Sequence, residues 1–556
     1  MALGTLASRV TGLVRTLIQA YALGGFALAD AYNVANSLPN AVYNLMLGGI
    51  LTSVIVPLLV SAATRGRALG EAAADAAGLP PEAPRAAAAH TAGRADAGAY
   101  DQRMFTLITV ALLGITVAAT LASRPIVDLY SGSVSGAELH LMVIFAYFFI
   151  PQIFFYGVSS LAGAILNSRG SFAAPMWTPV INNIVVSGVL LGFVAVAGFG
   201  VNPATITSGE IRLLGIGTTL GVIAQTAALL PSLRRVGFSW RPRFDFRRVE
   251  LAEIWHMAGW MFAYIGTTQV SLFVTTRVAN EASVLAAQAH VGYGAGFTPY
   301  AYAWQLFQMP YAVVGISVIT ALLPRMSAHA GARQADLVKA DFSTGVRLAG
   351  VLVVPSAFVL AVLGPSLAEV FLAHGATSVA SARYMGEVFA VLCLGLVPYT
   401  IFQLQLRVFY ASRDSRTPAL IGVVAMLVNI ATCYLALALL PPGLIVAGLG
   451  AAFGLGNVAG SALAWLVLRR RLHGLAGRQI GESLLRMHAA AIPAAVLALA
   501  ITVGADRALG EGRASSLVSA AVAGTCALAA YVALAYFFRV RELTGLATTV
   551  LARLRR

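Results

Sequence analysis

The sequence predicts an all-α polytopic membrane protein of about 14 transmembrane helices. They are expected as two six-helix lobes related by a pseudo-twofold along the membrane normal, plus two C-terminal helices. Composition, recurrent apolar runs and one-sided basic residues predict it. Of 556 residues, 59% are hydrophobic and 11% charged, and mean hydropathy is +0.81; a soluble domain carries about 25% charged residues. Apolar stretches such as Met104–Leu121, Ile211–Leu230, Leu348–Leu363 and Leu420–Leu440 have the length that crosses a hydrocarbon core of about 30 Å as helix. Nothing alternates with the period of a barrel strand.

The net charge of +15 sits in short clusters between apolar runs rather than on one soluble face, which argues against a nucleic-acid partner. With the N-terminus inside, the inner loops hold Arg65, Arg67, Arg234, Arg235, Arg241, Arg243, Arg247, Arg248, Arg469, Arg470 and Arg471 among many others. The outer loops hold only Arg124, Arg212, Arg507 and Arg513. That bias predicts both termini on the cytoplasmic side and an even number of crossings. Arg9 and Arg15 interrupt the first apolar stretch, so a retained helix is expected rather than a cleaved signal peptide. Cys393, Cys433 and Cys526 fall inside apolar runs as packing residues, with no metal-ligand spacing.

Helices are expected over 4–28, 34–62, 103–122, 139–166, 175–198, 213–231, 250–278, 296–323, 343–363, 382–410, 418–440, 446–468, 487–504 and 515–538. These give an N-lobe over 1–231, a C-lobe over 250–468 and a final helical pair over 487–538. Residues 65–100, rich in Ala, Gly, Pro and Arg, read as a disordered cytoplasmic loop. The tail 539–556 places Leu543, Leu546, Val550 and Leu554 at helical spacing among arginines, as a segment lying on the anionic inner leaflet does. Two weak echoes suggest duplication. Ser168-Arg169-Gly170-Ser171 with Pro175 and Asn182-Asn183 matches Ser412-Arg413-Asp414-Ser415 with Pro418 and Asn429. The run ending at Pro57 matches that ending at Pro324. The even helix offset makes the repeat parallel and implies a central cavity.

On a helical wheel, Thr5, Ser8, Arg9, Gly12, Arg15, Thr16 and Gln19 share an arc of about 120°. A charge at a helix centre costs about 2.5–3.5 kcal/mol even on lenient insertion scales, so the stripe asks for a wet or anion-filled interior. Snorkelling to the inner headgroups is the competing explanation, stronger for Arg9 than for the deeper Arg15. Asn33, Asn36, Asn40, Tyr43 and Asn44 continue the polar face, with Pro39 among them as a bend. Gln269, Gln305 and Gln403 are candidate cavity residues farther along, although amides also tie membrane helices together. Gly48, Gly49 and Pro310 are candidate gating positions, and Arg277 and Arg407 read as anchors near helix ends. The expected spans contain almost no carboxylate, which disfavours proton or cation exchange. Guanidinium groups bind phosphates bidentately, so a diphosphate is the natural ligand. No GxSxG, HExxH, Walker sequence or paired carboxylates support an enzyme.

The segments ASRVTGLVRTLIQAYALGG and ADAYNVANSLPNAVYNLMLGGILTSVIVPLL resemble the MurJ/MviN family of lipid II flippases, within the multidrug, oligosaccharidyl-lipid and polysaccharide exporter superfamily. So do GAILNSRGSFAAP, FQMPYAVVGISVITALLPRMS and VFYASRDSRTP. The resemblance implies export of undecaprenyl-diphosphate-linked disaccharide pentapeptide to the outer leaflet for wall synthesis. It also implies a lipid-tail groove at the last two helices. The family's essential arginines fall on Arg9 and Arg15 and its outer Asp on Asp30. Thr16, Tyr43 and Gln305 depart from its charged residues, as in members similar to the actinobacterial branch.

Alternating access of an anionic lipid headgroup is the leading expectation. The runners-up are export of another polyprenyl-linked glycan or amphiphile, and a non-transporting scaffold that recruits wall-synthesis proteins. Membrane lipids and lipid II are the expected partners of a monomer with no cofactor, sodium or membrane-potential coupling being left open.

Overall fold

The computed structural model describes residues 2–45, 84–245, 251–312, 315, 317–510 and 512–543. Among these there is no strand. The first group of helices is α1 (Ala2–Leu23), α2 (Ala27–Leu45), α3 (Pro84–Leu121), α4 (Ser123–Ser131), α5 (Gly136–Phe149), α6 (Gln152–Ser168), α7 (Ala173–Ala197), α8 (Ser208–Ala227) and α9 (Leu230–Arg235). The second is α10 (Leu251–Gln288), α11 (Phe297–Tyr311), α12 (Ser317–Gly331), α13 (Ala335–Leu372), α14 (Val379–Leu394), α15 (Leu396–Ala411), α16 (Arg416–Leu439) and α17 (Ile445–Arg471). The third is α18 (Gly477–Leu509), α19 (Arg513–Val518) and α20 (Gly524–Phe537), the last two joined through a π-turn at Ser519–Ala523.

Among the described residues nine helical stretches are long and apolar enough to cross a bilayer, or ten with the pair α14 and α15 taken as one bent span. Neither α1 nor α2 is among them, because their arginines, Asp30 and asparagines lower the mean hydropathy. Helices of the first group pack chiefly on one another, with α7 against α1 and α8, and α5 against α2. In the second group α13 packs on α14, and α16 on α10 and α17. The α18 and α20 pair lies against α13.

Small residues set the closest crossings. A Cβ added at Gly364 of α13 would stand 2.6 Å from the Gly386 carbonyl oxygen of α14, so these backbones touch as membrane helices do at glycine. Around the outside, Leu6, Val10 and Val14 of α1, Leu485, Val496 and Leu499 of α18, and Leu528 and Phe537 of α20 are exposed. Lipid solvates this surface.

Several elements differ from the sequence expectation. The loop expected through residue 100 is helical from Pro84, since the Ala-rich run that precedes Arg103 favours helix and extends α3 backwards. Residues 65–83, the run ending at Pro57, and the tail beyond 543 lie outside the described residues. The span expected at 382–410 is broken at Gly395 with a bend of 46°. The 139–166 span is interrupted at Ile150 and Pro151, the proline supplying no N–H to continue the ladder. Longer helices also take in carboxylates that the expected spans excluded. Asp30 lies in the first turn of α2, Glu138 in the first turn of α5, and the buried Glu369 in α13, paired with Arg383 at 2.6 Å.

The Ser-Arg echo has a structural counterpart. Ser171 N–H donates to the Leu166 carbonyl at 2.8 Å and Asp414 N–H to that of Phe409 at 3.0 Å, with Gly170 and Arg413 left-handed in the position before each. Both helices therefore end in the same Schellman closure, and Pro175 and Pro418 follow at the same remove.

Replacing Gly386 by Val should lower the melting temperature of the detergent-solubilised protein by several degrees, overpacking costing about 1–3 kcal/mol. Gly188→Val, where a Cβ meets no atom within 4 Å, serves as the comparison and should melt close to the unaltered chain.

Candidate functional site

A cavity of about 410 Å³ opens where the first half of α1 faces the start of α7 and the second half of α11. Ser8, Arg9, Gly12, Leu13 and Arg15 line it from α1, Pro175, Met176, Pro179 and Asn183 from α7, and Gln305 and Met309 from α11. The polar stripe of α1 thus faces inward while Leu6, Val10 and Val14 cover its opposite side, a division that follows from 3.6 residues per turn.

The two helices of the first lobe are tied beside this cavity. Asn183 donates through Nδ2 to the Ser8 carbonyl at 3.2 Å and to Thr11 Oγ1 at 3.0 Å. A Cβ at Gly12 would meet that same amide nitrogen at 3.6 Å, an ordinary contact, so α1 faces the Asn183 side chain directly here. Across the cavity, Arg9 Nη1 reaches Gln308 Oε1 of α11 at 3.4 Å, a long bond spanning the two lobes. Arg15 is half-buried, and its Nε is buried without a hydrogen-bond partner. Among the described residues it has no ion-pair partner either; Tyr32 and Tyr156 are the phenols within its electrostatic reach. A guanidinium held this way carries an unmet demand for an oxyanion.

At the opposite end the lobes meet directly. Asp30 Oδ1 accepts the Thr298 backbone N–H at 2.6 Å, so a carboxylate from α2 caps the N-terminus of α11, where the unpaired N–H groups and the helix dipole favour negative charge. Asn33 donates to Thr298 Oγ1 at 3.0 Å and accepts from Gln19 Nε2 at 2.6 Å. Ala376 N–H bonds to the Tyr21 carbonyl at 2.8 Å, Thr377 Oγ1 to that of Ala20 at 2.6 Å, and the Gly25 and Gly294 backbones touch. Farther along the same seam, Arg277 Nη1 and Asn280 Nδ2 donate to the carbonyls of Leu129 and Tyr130, and Ser133 Oγ bonds to Glu281.

The candidate residues of the sequence therefore separate. Ser8, Arg9, Arg15 and Gln305 stand on the cavity wall. Gln19 is buried in the seam. Asn40 Nδ2 donates back to the Asn36 carbonyl of its own helix, as a local tie does. Gln269 lies half-buried on α10, its Nε2 on Thr268 Oγ1 at 3.3 Å, and Gln403 serves the Tyr264 hydroxyl. Asp30 belongs to the seam, Pro39 is buried inside α2, and Pro310 lies in the last turn of α11. The side chain of Tyr43, with Gly48 and Gly49, falls outside what is described. Asn183, Pro179 and Met309 were not singled out, Asn183 entering only through the repeat, whereas Gln308 shares with Gln305 the polar face that the sequence marks on this helix.

Comparison with known proteins gives the family and the fold. The family described as lipid II flippase MurJ matches residues 19–522. A probable lipid II flippase MurJ of Rhizobium meliloti (strain 1021) is 26% identical over 514 residues, covering 90% of this chain and 85% of its own. The lipid II flippase MurJ of Burkholderia cenocepacia is 26% identical over 474 residues, covering 84% and 82%. Among solved structures, a lipid II flippase MurJ in an inward closed conformation superposes with a TM-score of 0.72 at 16% identity, over 98% of this chain and 99% of that one. An inward-facing MATE-family transporter of the MOP superfamily superposes at 0.59 and 15% identity, over 84% and 95%. The latter two likenesses speak to fold alone. With a family match running through most of its length, this multi-pass membrane protein belongs to the lipid II flippase MurJ family.

Proposed function

We propose that the chain moves lipid II, the undecaprenyl-diphosphate-linked wall precursor, from the inner to the outer leaflet of the cytoplasmic membrane by alternating access. The observation that carries the reading is the Arg15 guanidinium, charged and unpartnered at Nε beside a cavity with room for a diphosphate. Arg9 and Arg15 hold the diphosphate, and Ser8, Gln305 and Asn183 offer hydrogen bonds to the groups around it. The polyprenyl chain stays in lipid, along the exposed apolar faces of α18 and α20.

The cavity is lined by the ends of α1 and α7 nearest the chain's N-terminus, and the seam closes the other end. With the termini cytoplasmic, as the arginine bias favours, the site is open to the inner leaflet and the Asp30–Thr298 seam is the barrier to the outside. Release outward then requires those interlobe bonds to part while the inner ends close around Arg9 and Gln308. The empty site is positive, so an inside-negative potential favours its inward return, one full charge across 100 mV being worth about 2.3 kcal/mol.

In cells depleted of their own flippase, Arg15→Ala should fail to restore growth and outer-leaflet lipid II. Arg15→Lys should restore them in part, because an ammonium keeps the charge but not the bidentate fork. Loss of a charge-assisted contact of about 1.5–3 kcal/mol corresponds to a roughly 10- to 100-fold weaker hold on the diphosphate. Full rescue by the alanine variant would remove the site's role.

The seam makes a separate expectation. Asp30→Asn keeps an acceptor oxygen for the Thr298 N–H, whereas Asp30→Ala does not. Labelling of a cysteine placed at Gly12 by an impermeant thiol reagent added outside should rise in the alanine background and change little in the asparagine one. Equal labelling in both backgrounds would show that the seam is not the outer barrier.

A further inference from the structure

The turn that joins α13 to α14 is held from two sides. Its Ala376 N–H and Thr377 hydroxyl bond to the Tyr21 and Ala20 carbonyls in the last turn of α1. On the other side, Arg513 of α19 donates through Nη2 to the Ala373 carbonyl at 2.5 Å, at the C-terminus of α13. A cation there meets the negative end of the helix dipole. One turn back along α13, the Glu369 carboxylate is fully buried, and its Oε2 accepts from Ser516 Oγ of α19 at 2.8 Å and from Arg383 Nε of α14 at 2.6 Å. A carboxylate out of water depends on such donors. Three helices are thus tied at one point beside the turn.

Arg513 is also one of the few arginines that the sequence places on the outer side. Arg124 pairs with Asp128 of its own helix at 3.4 Å and Arg212 bonds back to the Ser208 carbonyl at 3.1 Å, whereas Arg513 reaches an element 140 residues earlier. The apolar contacts run the same way. Ala20 of α1 is buried in one cluster with Ala368, Leu372 and Ala373 at the end of α13 and with Ala382 and Met385 of α14. A Cβ at Gly24 would stand 2.7 Å from the Ala376 carbonyl oxygen, and Gly24 has φ +73°, so both the approach and the backbone call for glycine.

We propose that Arg513 and Ser516 are positioning residues of the outer closure: through the Ala373 carbonyl and Glu369 they hold the α13–α14 turn against the end of α1, so that the C-terminal helices brace the seam. The proposal rests on the reading of the seam as the barrier to the outside. Neither residue is among those that line the cavity, and both act through the turn. With Arg513 in place the Ala373 carbonyl has a donor and the turn keeps one geometry. Without it the carbonyl turns to water, and the turn gains a freedom that the Ala20 and Tyr21 bonds must then oppose. Those bonds hold the outer end of the helix that carries Arg9 and Arg15, so parting them is a step in moving that helix from the second lobe.

The test reads labelling of a cysteine placed at Gly12 by an impermeant thiol reagent, added outside or to the inner face of inverted vesicles, with the partly exposed Cys526 replaced by alanine throughout. Arg513→Gln should raise labelling from outside by about 2- to 10-fold, the population change that one net hydrogen bond is worth, without raising labelling from inside. Arg513→Lys, which keeps a donor and the charge, should recover most of the unaltered rate. Ser516→Ala leaves Glu369 with Arg383; it should raise outside labelling by a smaller factor, and it serves where Arg513→Gln does not fold. A merely structural role predicts a lower melting temperature with labelling unchanged, or raised equally from both sides, and either result overturns the proposal. Asp30→Ala separates the bracing from the reading it rests on. If outside labelling rises in Asp30→Ala but not in Arg513→Gln, the bracing falls and the seam stands. If it rises in neither, both fall, and if it rises in Arg513→Gln alone, the turn itself is the closing element and the bracing stands.

Discussion

Two guanidinium groups on one face of α1, with no carboxylate in ion-pair range among the described residues, constrain the rest of the molecule. A charge cannot be left in hydrocarbon, and an internal ion pair would neutralise it. Neither solution is used for Arg15, so the bundle must leave a wet space along that face. Leu6, Val10 and Val14 can then meet lipid only because the arginines turn the other way. The two Asn183 bonds fix the helix on α7, and the cavity lies on the α11 side.

A cavity between two lobes would flood the membrane with a leak unless one end were shut. The shutting is done by short polar groups and backbone rather than by an apolar plug. Asp30 on the α11 N-terminus, Asn33 on Thr298, and the Tyr21 and Ala20 carbonyls on the 376–377 turn are all bonds whose net contribution is about 0.5–1.5 kcal/mol, more where a charge takes part. Such a seam can be exchanged for water at each opening, whereas a large apolar interface would have to be rebuilt against its hydrophobic gain. Gln19 links the two ends physically. It sits one turn beyond Arg15 on the same stripe and donates to Asn33 in the seam, so a rotation of α1 at the cavity would also load the seam bonds.

The stripe on α1 was legible in the sequence because an arginine inside an apolar helix has few structural explanations, and two at the same angle have fewer. The amides were less legible for the opposite reason. Gln19, Asn40 and Gln403 each satisfy their hydrogen bonds locally or in a seam, and nothing in helical spacing distinguishes that use from contact with a ligand. Arg407 was read as an anchor because the expected helix ended close to it, and its guanidinium carbon lies 5.8 Å from the Tyr410 ring centroid of the same helix. The break at Gly395 was missed because the apolar run continues through it. The helical start of α3 was missed because alanine and glycine in one stretch read as low complexity, when alanine alone favours helix.

The distribution of charge also decides which partial motion can be productive. Arg9 and Arg15 move with α1 and the first lobe, and the second lobe meets them across the cavity with Gln305 and Met309, joined to the first there by the long Arg9–Gln308 bond. A diphosphate held by the guanidinium groups can also accept from the Gln305 amide, so each lobe is then drawn toward the same anion. Closure of the inner ends follows from the ligand's presence, and the bonds of the outer seam, modest one by one, are what that attraction has to overcome. A cavity lined by carboxylates would repel the same headgroup, and one lined by neutral amides alone would close as readily when empty as when full.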